Sequence, residues 1–229
     1  MNKPSVVIPV YNSPYIKEVV EDVLRHGYEV IVVDDGSDEK VTFESEHVHL
    51  ITHGTNQGKG EAILSGAKEA KRVGFNTFIT MDADKQHLSS ELVKLVDAYQ
   101  EESIVIGNRD FESEHVPDSS KFGRKFSNFW VMLETFKSLG DTQSGFRMYP
   151  VSITELPLKN SRFDFEVEVL VLHAYRGGRI IDVDVECYYP PHEERISHFD
   201  KLHDNVHITL LHIKLLIQRF LFLRGWFWR

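Results

Sequence analysis

The sequence predicts an α/β protein: a mostly parallel central sheet flanked by helices, closed by a C-terminal amphipathic helix. Three observations predict it. Short apolar runs alternate with helical patterns through the first half, as in a parallel sheet covered by its crossover helices. Several of the runs end in polar stretches, and in open sheets of this kind ligands bind beyond the carboxyl ends of the strands. The 229 residues are 41% hydrophobic and 27% charged, the make-up of a globular chain that can bury a core of that size.

The apolar runs that read as strands are Val6 to Val10, Val30 to Val33, His49 to Thr52, Thr77 to Met81 and Ile104 to Gly107. Helical patterns lie between them at Pro14 to Arg25, Lys59 to Arg72 and Leu88 to Gln100. The last of these starts at Ser89-Ser90-Glu91, a serine cap followed by an acid in the first turn. From Phe111 to Pro117 the pattern breaks into an acidic loop, followed by a basic, aromatic helix from Lys121 to Lys137. A helical run around Phe163 to Tyr175 and a strand at Ile180 to Tyr188 complete the expected core. There is no repeat, low-complexity tract or linker. The expected organisation is therefore one domain over residues 1–200, with halves at 1–110 and 111–200, and a tail at 201–229.

Composition excludes several classes. A formal charge of −9 argues against nucleic acid as partner, because phosphate backbones select basic surfaces. The single cysteine, Cys187, cannot form an internal disulfide and reads as a core filler in a reducing compartment. Met1-Asn2-Lys3-Pro4 leads straight into strand pattern, without the apolar region and cleavage site of a secretory signal. No run of 18 uncharged apolar residues occurs, so no spanning helix is expected. These features point to the cytoplasm.

The chemistry is expected at the strand ends. Asp82-Ala83-Asp84 follows the apolar run Phe78-Ile79-Thr80-Met81. Two carboxylates one residue apart are either a solvated turn or oxygen ligands for a hard divalent cation. Mg²⁺ takes one or two such carboxylates and fills its shell with water and substrate phosphate, which suits a diphosphate leaving group. The second strand runs into Asp34-Asp35-Gly36-Ser37, where carboxylates can accept bonds from ribose hydroxyls or a base edge and Gly36 permits a tight turn. The first strand ends at Pro9-Val10-Tyr11-Asn12, with Tyr11 placed to face a base. After the third strand, Gly54-Thr55-Asn56-Gln57-Gly58-Lys59-Gly60 has three residues where a Walker motif has four, and Gly60 follows the lysine. That excludes a P-loop nucleotidase, although glycine, Lys59 and a helix N-terminus can still hold anionic oxygen.

Taken in order, Val7-Ile8-Pro9-Val10-Tyr11-Asn12, Val32-Val33-Asp34-Asp35-Gly36-Ser37, Asn56-Gln57-Gly58-Lys59-Gly60 and Met81-Asp82-Ala83-Asp84 resemble the family 2 glycosyltransferases with the Rossmann-like GT-A fold. Asp82 to His87 and Ser144-Gly145-Phe146-Arg147 look most like the polyprenyl-phosphate sugar transferases, such as dolichol-phosphate mannose or glucose synthases. The resemblance covers roughly residues 4–200. It implies a nucleotide-diphosphate sugar donor, an inverting transfer and a divalent metal, Mg²⁺ or Mn²⁺, bridging the phosphates.

Carried over by position, Asp34 and Asp35 would contact the nucleoside, with Pro9, Tyr11 and Asn12 lining the base pocket. Asp82 and Asp84 would hold the metal, with Gln86 as third ligand and Lys59 near the donor. Arg109 and Arg147 would meet substrate phosphate, a role that suits a guanidinium fork. Arg195 and Ser197 resemble a late loop that closes over the diphosphate, with His198 standing where relatives often carry lysine. A polyprenyl-phosphate acceptor is already ionised and needs no base; a hydroxyl acceptor needs one, and Asp141 is the candidate.

The tail places apolar residues around most of a helix from Val206 to Leu223, ending in Arg224-Gly225-Trp226-Phe227-Trp228-Arg229. Basic residues and terminal tryptophans beside a wide apolar face suit a membrane interface, so the tail suggests a protein held peripherally on the inner face of the membrane. A helix packed on the core or on a second copy has the same pattern. His203 and His207 share one helical face, but no acidic or thiol partner is fixed beside them for zinc. His47, His49 and His53 alternate along a strand edge and read as surface residues. A hydroxyl-acceptor glycosyltransferase and a non-catalytic nucleotide-sugar scaffold remain as alternatives to lipid-phosphate transfer.

Overall fold

The structure is a computed structural model and describes residues 3–110, 118–159, 162, 164–189, 209–217 and 219. The late-loop residues Arg195 and Ser197, the acidic loop after Phe111 and most of the tail lie outside the described residues.

Seven strands form one sheet in the order β3-β2-β1-β4-β6-β5-β7. Their ranges are β1 Ser5–Val10, β2 Val30–Asp34, β3 Val48–Thr52, β4 Thr77–Thr80, β5 Ser103–Arg109, β6 Arg147–Pro150 and β7 Arg179–Val185. β1 pairs in parallel with β2 and β4, β2 with β3, and β5 with β7. Only β6 runs against the rest, paired antiparallel to both β4 and β5. The expected halves at 1–110 and 111–200 thus share one sheet, since β6 lies between β4 and β5.

The inner strands β1, β2 and β4 are buried on both faces, which is why they read as continuous apolar runs. Along β1, Val6, Ile8 and Val10 enter one core layer while Val7 enters the other. β2 repeats the split, with Val30 and Val32 on one side and Ile31 and Val33 on the other. Helix α1 (Ile16–Arg25) supplies Ile16, Val19, Val20 and Val23 to the first layer, a stripe at helical spacing. Helix α3 (Leu92–Ala98) adds Leu92 and Leu95 to that layer. On the opposite face lie α2 (Lys59–Arg72), α4 (Asp118–Thr135), α5 (Phe165–Tyr175) and the helical residues 209–217. Small residues let α2 sit close to the sheet: a Cβ on Gly66 would come within 2.3 Å of Val7 Cγ1.

Two local expectations are corrected. Ser89 does not cap α3; Ser89–Glu91 forms a separate 3₁₀ turn with no side-chain cap bond. Glu91 instead accepts the Glu186 amide at 2.8 Å and pairs with Lys94 at 2.7 Å, tying this turn to the end of β7. β6 was not expected as a strand at all.

His173, in the last turn of α5, is 7% exposed, and a Cβ on Gly178 would lie 2.2 Å from its Nε2. Burial in this close-packed spot holds its imidazole below the ordinary value of about 6.5, only partly offset by backbone contacts. As pH falls through about 6.5 the unfolded chain takes up a proton that the folded chain resists, so this residue lowers stability on acidification. Melting of the wild type and His173→Gln at pH 7.5 and 5.5 should show a smaller acid-side loss in the variant.

Candidate active site

The carboxyl ends of β1, β2 and β4 open into a cleft of about 280 Å³. Its walls include Pro9, Val10, Tyr11 and Ser13 after β1, Asp35 after β2, and Asn56, Gly58 and Lys59 leading into α2. Asp82, Ala83, Asp84 and Gln86 form the far side, and Arg162 reaches it from the segment before α5. Of the candidate residues, Pro9, Tyr11, Asp35, Lys59, Asp82, Asp84 and Gln86 thus meet in one place.

Asn12 and Asp34 are not part of that lining. Asn12 adopts a positive φ of 52° and clasps the next loop. Its backbone N–H donates to Ser37 Oγ at 2.9 Å, its Nδ2 donates to Asp38 Oδ2, and its Oδ1 accepts the Asp38 N–H. Asp34 is 2% exposed and accepts the Ser37 N–H at 2.9 Å, fixing the turn that Gly36 (φ 78°) makes possible. A Cβ on Gly36 would lie 2.6 Å from the Thr55 carbonyl carbon, so the turn packs directly on the next loop.

Asp35 organises that loop. Its Oδ1 accepts the Gln57 N–H at 2.9 Å and lies 2.7 Å from His53 Nδ1, and its Oδ2 accepts the Gly58 N–H at 2.8 Å. The anionic oxygen held at the start of α2 is therefore the protein's own carboxylate. His53 is corrected from surface residue to buried partner, 9% exposed and 3.0 Å from Ser65 Oγ on its other ring nitrogen.

The acidic turn after β4 is held from several sides. Ser13 Oγ donates to the Ala83 carbonyl at 2.5 Å, and Asp84 Oδ1 accepts the Gln86 N–H at 3.0 Å. Lys59 Nζ lies 2.8 Å from Asp82 Oδ1 and 2.9 Å from Glu166 Oε1. Burial alone would lower the lysine's pKa, but the Asp82 and Glu166 charges outweigh it and hold the ammonium firmly charged. The same contact keeps Asp82 ionised against its burial, with its pKa lowered. Asp84 has the opposite fate: burial first, then the Asp82 charge, push it up to about 6. His87, stacked on Phe146, is driven down to about 4 by burial and so is neutral near pH 7.

Among the described residues no group of three or more His, Cys, Asp or Glu side chains is disposed to hold a metal alone. Asp82, Asp84 and Gln86 instead offer oxygen donors on one wall of the cleft. An all-oxygen set of this size fits a hard divalent ion that takes the rest of its shell from water and a diphosphate.

Arg109 and Asp141 form a separate pair outside the lining. Arg109 Nε donates to Asp141 Oδ2 at 2.7 Å and Nη2 to Oδ1 at 3.1 Å, and Asp141 is fully buried. Arg147, expected to meet phosphate, sits elsewhere. Its side chain is 0% exposed, and its guanidinium donates to the carbonyls of Ser144 (2.6 Å), Glu166 (2.7 Å) and Thr142 (2.8 Å). It is placed as a brace, because its hydrogen bonds go inward, to main-chain carbonyls and the Tyr149 hydroxyl.

Ser13, Asn56, Arg162 and Glu166 join the site without having been expected. Ser13 and Glu166 are placed by partners far away in sequence, Ala83 and Lys59 (the latter pair brought together by α2 and α5 on the same sheet face), so no local spacing marks them.

With this geometry in place, the chain is matched over residues 5–156 by the family model described as glycosyl transferase family 2, and it belongs to that family. It is a glycosyltransferase on a mixed α/β sheet of GT-A type. It is 28% identical to a UDP-N-acetylglucosamine–dolichyl-phosphate N-acetylglucosaminyltransferase of Methanococcus voltae, over 80% of this chain and 85% of that protein. It is 24% identical to an undecaprenyl-phosphate mannosyltransferase of Micrococcus luteus, covering 78% of this chain and 81% of that one. An undecaprenyl-phosphate 4-deoxy-4-formamido-L-arabinose transferase of Proteus mirabilis is 32% identical over 69% of the chain, which spans 52% of that relative's length. Among solved structures, glucosyl-3-phosphoglycerate synthase from Mycobacterium tuberculosis, with Mn²⁺, UDP and its product bound, superposes with a TM-score of 0.68. That match is at 16% identity and covers 95% of this chain and 80% of that one.

Proposed function

We propose that this glycosyltransferase moves a sugar from a nucleotide-diphosphate donor to a polyprenyl phosphate, with inversion at the anomeric carbon and a divalent metal at Asp82 and Asp84. The carrying observation is the cleft itself, where both carboxylates share the lining with Lys59, paired to Asp82, at the carboxyl ends of the parallel strands. The polyprenyl-phosphate substrates named for the relatives support the acceptor. The Mn²⁺ or Mg²⁺ in complexes of the M. tuberculosis synthase supports the metal.

In this reading Pro9 and Tyr11 flank the nucleoside, and the loop that Asp35 fixes brings Lys59 to the donor's diphosphate. A bound Mg²⁺ or Mn²⁺ supplies neutralising charge on the leaving group. Lys59 and Arg162 add positive charge from the protein, of most use as the leaving diphosphate develops its full charge. His87, neutral beneath Asp82, adds no competing cation.

The hydroxyl-acceptor reading needs a base. Asp141 was the residue expected for it, yet both its oxygens grip Arg109 and it is fully buried. That favours an acceptor that arrives ionised. Membrane contact fits the same reading. Among the described residues no helix is long and apolar enough to cross a membrane. However, Phe129, Met132 and Leu133 are exposed on α4 with Phe136 just past its end, and Leu210, Ile213 and Ile217 form another exposed set on the helix at 209–217. Such faces suit a protein resting peripherally on the cytoplasmic leaflet.

The test is to incubate purified protein with Mn²⁺, a panel of UDP- and GDP-sugars and a short polyprenyl phosphate, and to look for sugar-linked lipid by mass spectrometry. A metal-dependent product is expected and would name the donor. Donor binding without lipid product would transfer the assignment to a hydroxyl acceptor.

A further inference from the structure

The pairing of β2 with β3 runs one step past both strands. Thr52 stands opposite Asp34, and the His53 N–H donates to the Asp34 carbonyl at 2.8 Å, which brings His53 beside Asp35. Both side chains are buried, 8% and 4% exposed. An imidazole at that depth needs partners for its ring nitrogens. Asp35 Oδ1 lies 2.7 Å from Nδ1, and Ser65 Oγ on α2 lies 3.0 Å from Nε2. The order Asp35, His53, Ser65 is that of a nucleophilic triad. Ser65 lies inside α2 and does not line the cleft, so it is not placed as a nucleophile.

The arrangement bears instead on Asp35. Its backbone is anchored, with the N–H donating to the Val10 carbonyl at 2.8 Å. Its carboxylate is clasped by the Gln57 and Gly58 amides, one on each oxygen, and both belong to one loop. With those bonds alone the side chain could turn about its χ torsions and carry the loop with it. His53 opposes that turn, because it approaches Oδ1 from the end of β3 and is itself held by α2. Asn56, Gly58 and Lys59, in and just after the loop, line the cleft together with Asp35, whereas His53 does not. We propose that His53 is a positioning residue for the donor nucleotide, acting through Asp35 and not by touching the ligand. The inference rests on the proposed donor site in this cleft.

Two amide substitutions separate the ring's two bonds. Asparagine puts its amide nitrogen where Nδ1 stands and can keep the Asp35 bond. Glutamine puts it where Nε2 stands and can keep only the Ser65 bond. Affinity for UDP and for GDP, each with Mn²⁺, is measured by calorimetry on the full chain in wild type and both variants. Tm recorded alongside shows whether each variant is folded. His53→Gln should weaken binding of the preferred nucleotide about tenfold, the scale of losing a partner that orients a binding group. His53→Asn should stay within about threefold of wild type, because the bond to Asp35 survives. Equal weakening in the two variants, no weakening in either, or a greater loss in His53→Asn would mean that the ring only fills space between β3 and α2. Any of these would overturn the inference while leaving the donor site intact. No binding of either nucleotide by the wild type would overturn the donor site itself and this inference with it. If His53→Gln does not fold, His53→Asn decides alone: retained affinity supports the inference and a loss of about tenfold overturns it.

Discussion

Asp84→Asn should abolish most transfer activity and, in metal-free protein, make the fold more stable. The two signs come from one cause. Asp82 and Asp84 are like charges on one half-buried wall of the cleft, and Asp84 is pushed up to about 6 by burial first and by Asp82 second. An acid whose folded pKa lies above its unfolded value of about 3.9 destabilises the fold at pH 7, where it must ionise in both states. That penalty is present above pH 6 and fades as pH falls from about 6 toward 4. An amide of the same shape avoids it. Thermal melting at pH 7.5 in a chelator should therefore show Asp84→Asn stabilised by on the order of 1–3 kcal/mol. Transfer should drop by about 10²–10³, the scale at which a preorganised charge-stabilising group is lost. Sites that are costly to the apoprotein are where activity and stability trade against each other. A variant with lower stability and unchanged activity would remove Asp84 from the metal site.

The same contrast explains what the sequence could reveal. β1, β2, β4 and β5 were legible because each is a largely apolar run bounded by turn residues, the pattern that burial on both sheet faces demands, and the half-exposed edge strand β3 by its shorter apolar stretch. The cleft was legible because strand-end residues such as Asp35, Asp82 and Asp84 are fixed by local chain direction. β6 was not legible: Arg147–Pro150 is four residues long, carries an arginine and a proline, and pairs with strands whose partner residues lie at least 67 and 41 positions upstream, only through the finished sheet. Asp34 and Asn12 were read as ligand contacts because a carboxylate or amide at a strand end looks the same from sequence whether it faces substrate or caps a turn. Glu166 was missed for a related reason. A glutamate in the first turn of a helix ordinarily serves the helix dipole, and only its 2.9 Å approach to Lys59 marks it as part of the site.

Arg147→Met should unfold the protein far more readily and should act on the donor only indirectly. The residue was expected to grip phosphate, and the substitution separates that role from a brace. In the fold its guanidinium ties the carbonyls of Thr142, Ser144 and Glu166 together from a fully buried position. Methionine fills comparable space but leaves those acceptors without a donor. A buried polar group stranded in this way costs about 1–3 kcal/mol, so the loss should reach at least about 3 kcal/mol. For a chain of this size that corresponds to a fall in Tm of roughly 6–12 °C. A phosphate-gripping arginine would behave in the reverse manner: removing it would raise KM for the donor and leave Tm unchanged, since an unoccupied anion clamp contributes nothing to the fold. Arg147→Lys should fall between the two in stability, because an ammonium offers fewer and less fixed donors than the guanidinium fork. What activity survives in either variant should be limited by displacement of Gly145 and Glu166, both held by the segment that Arg147 ties, and so should appear first as weakened Mn²⁺ binding.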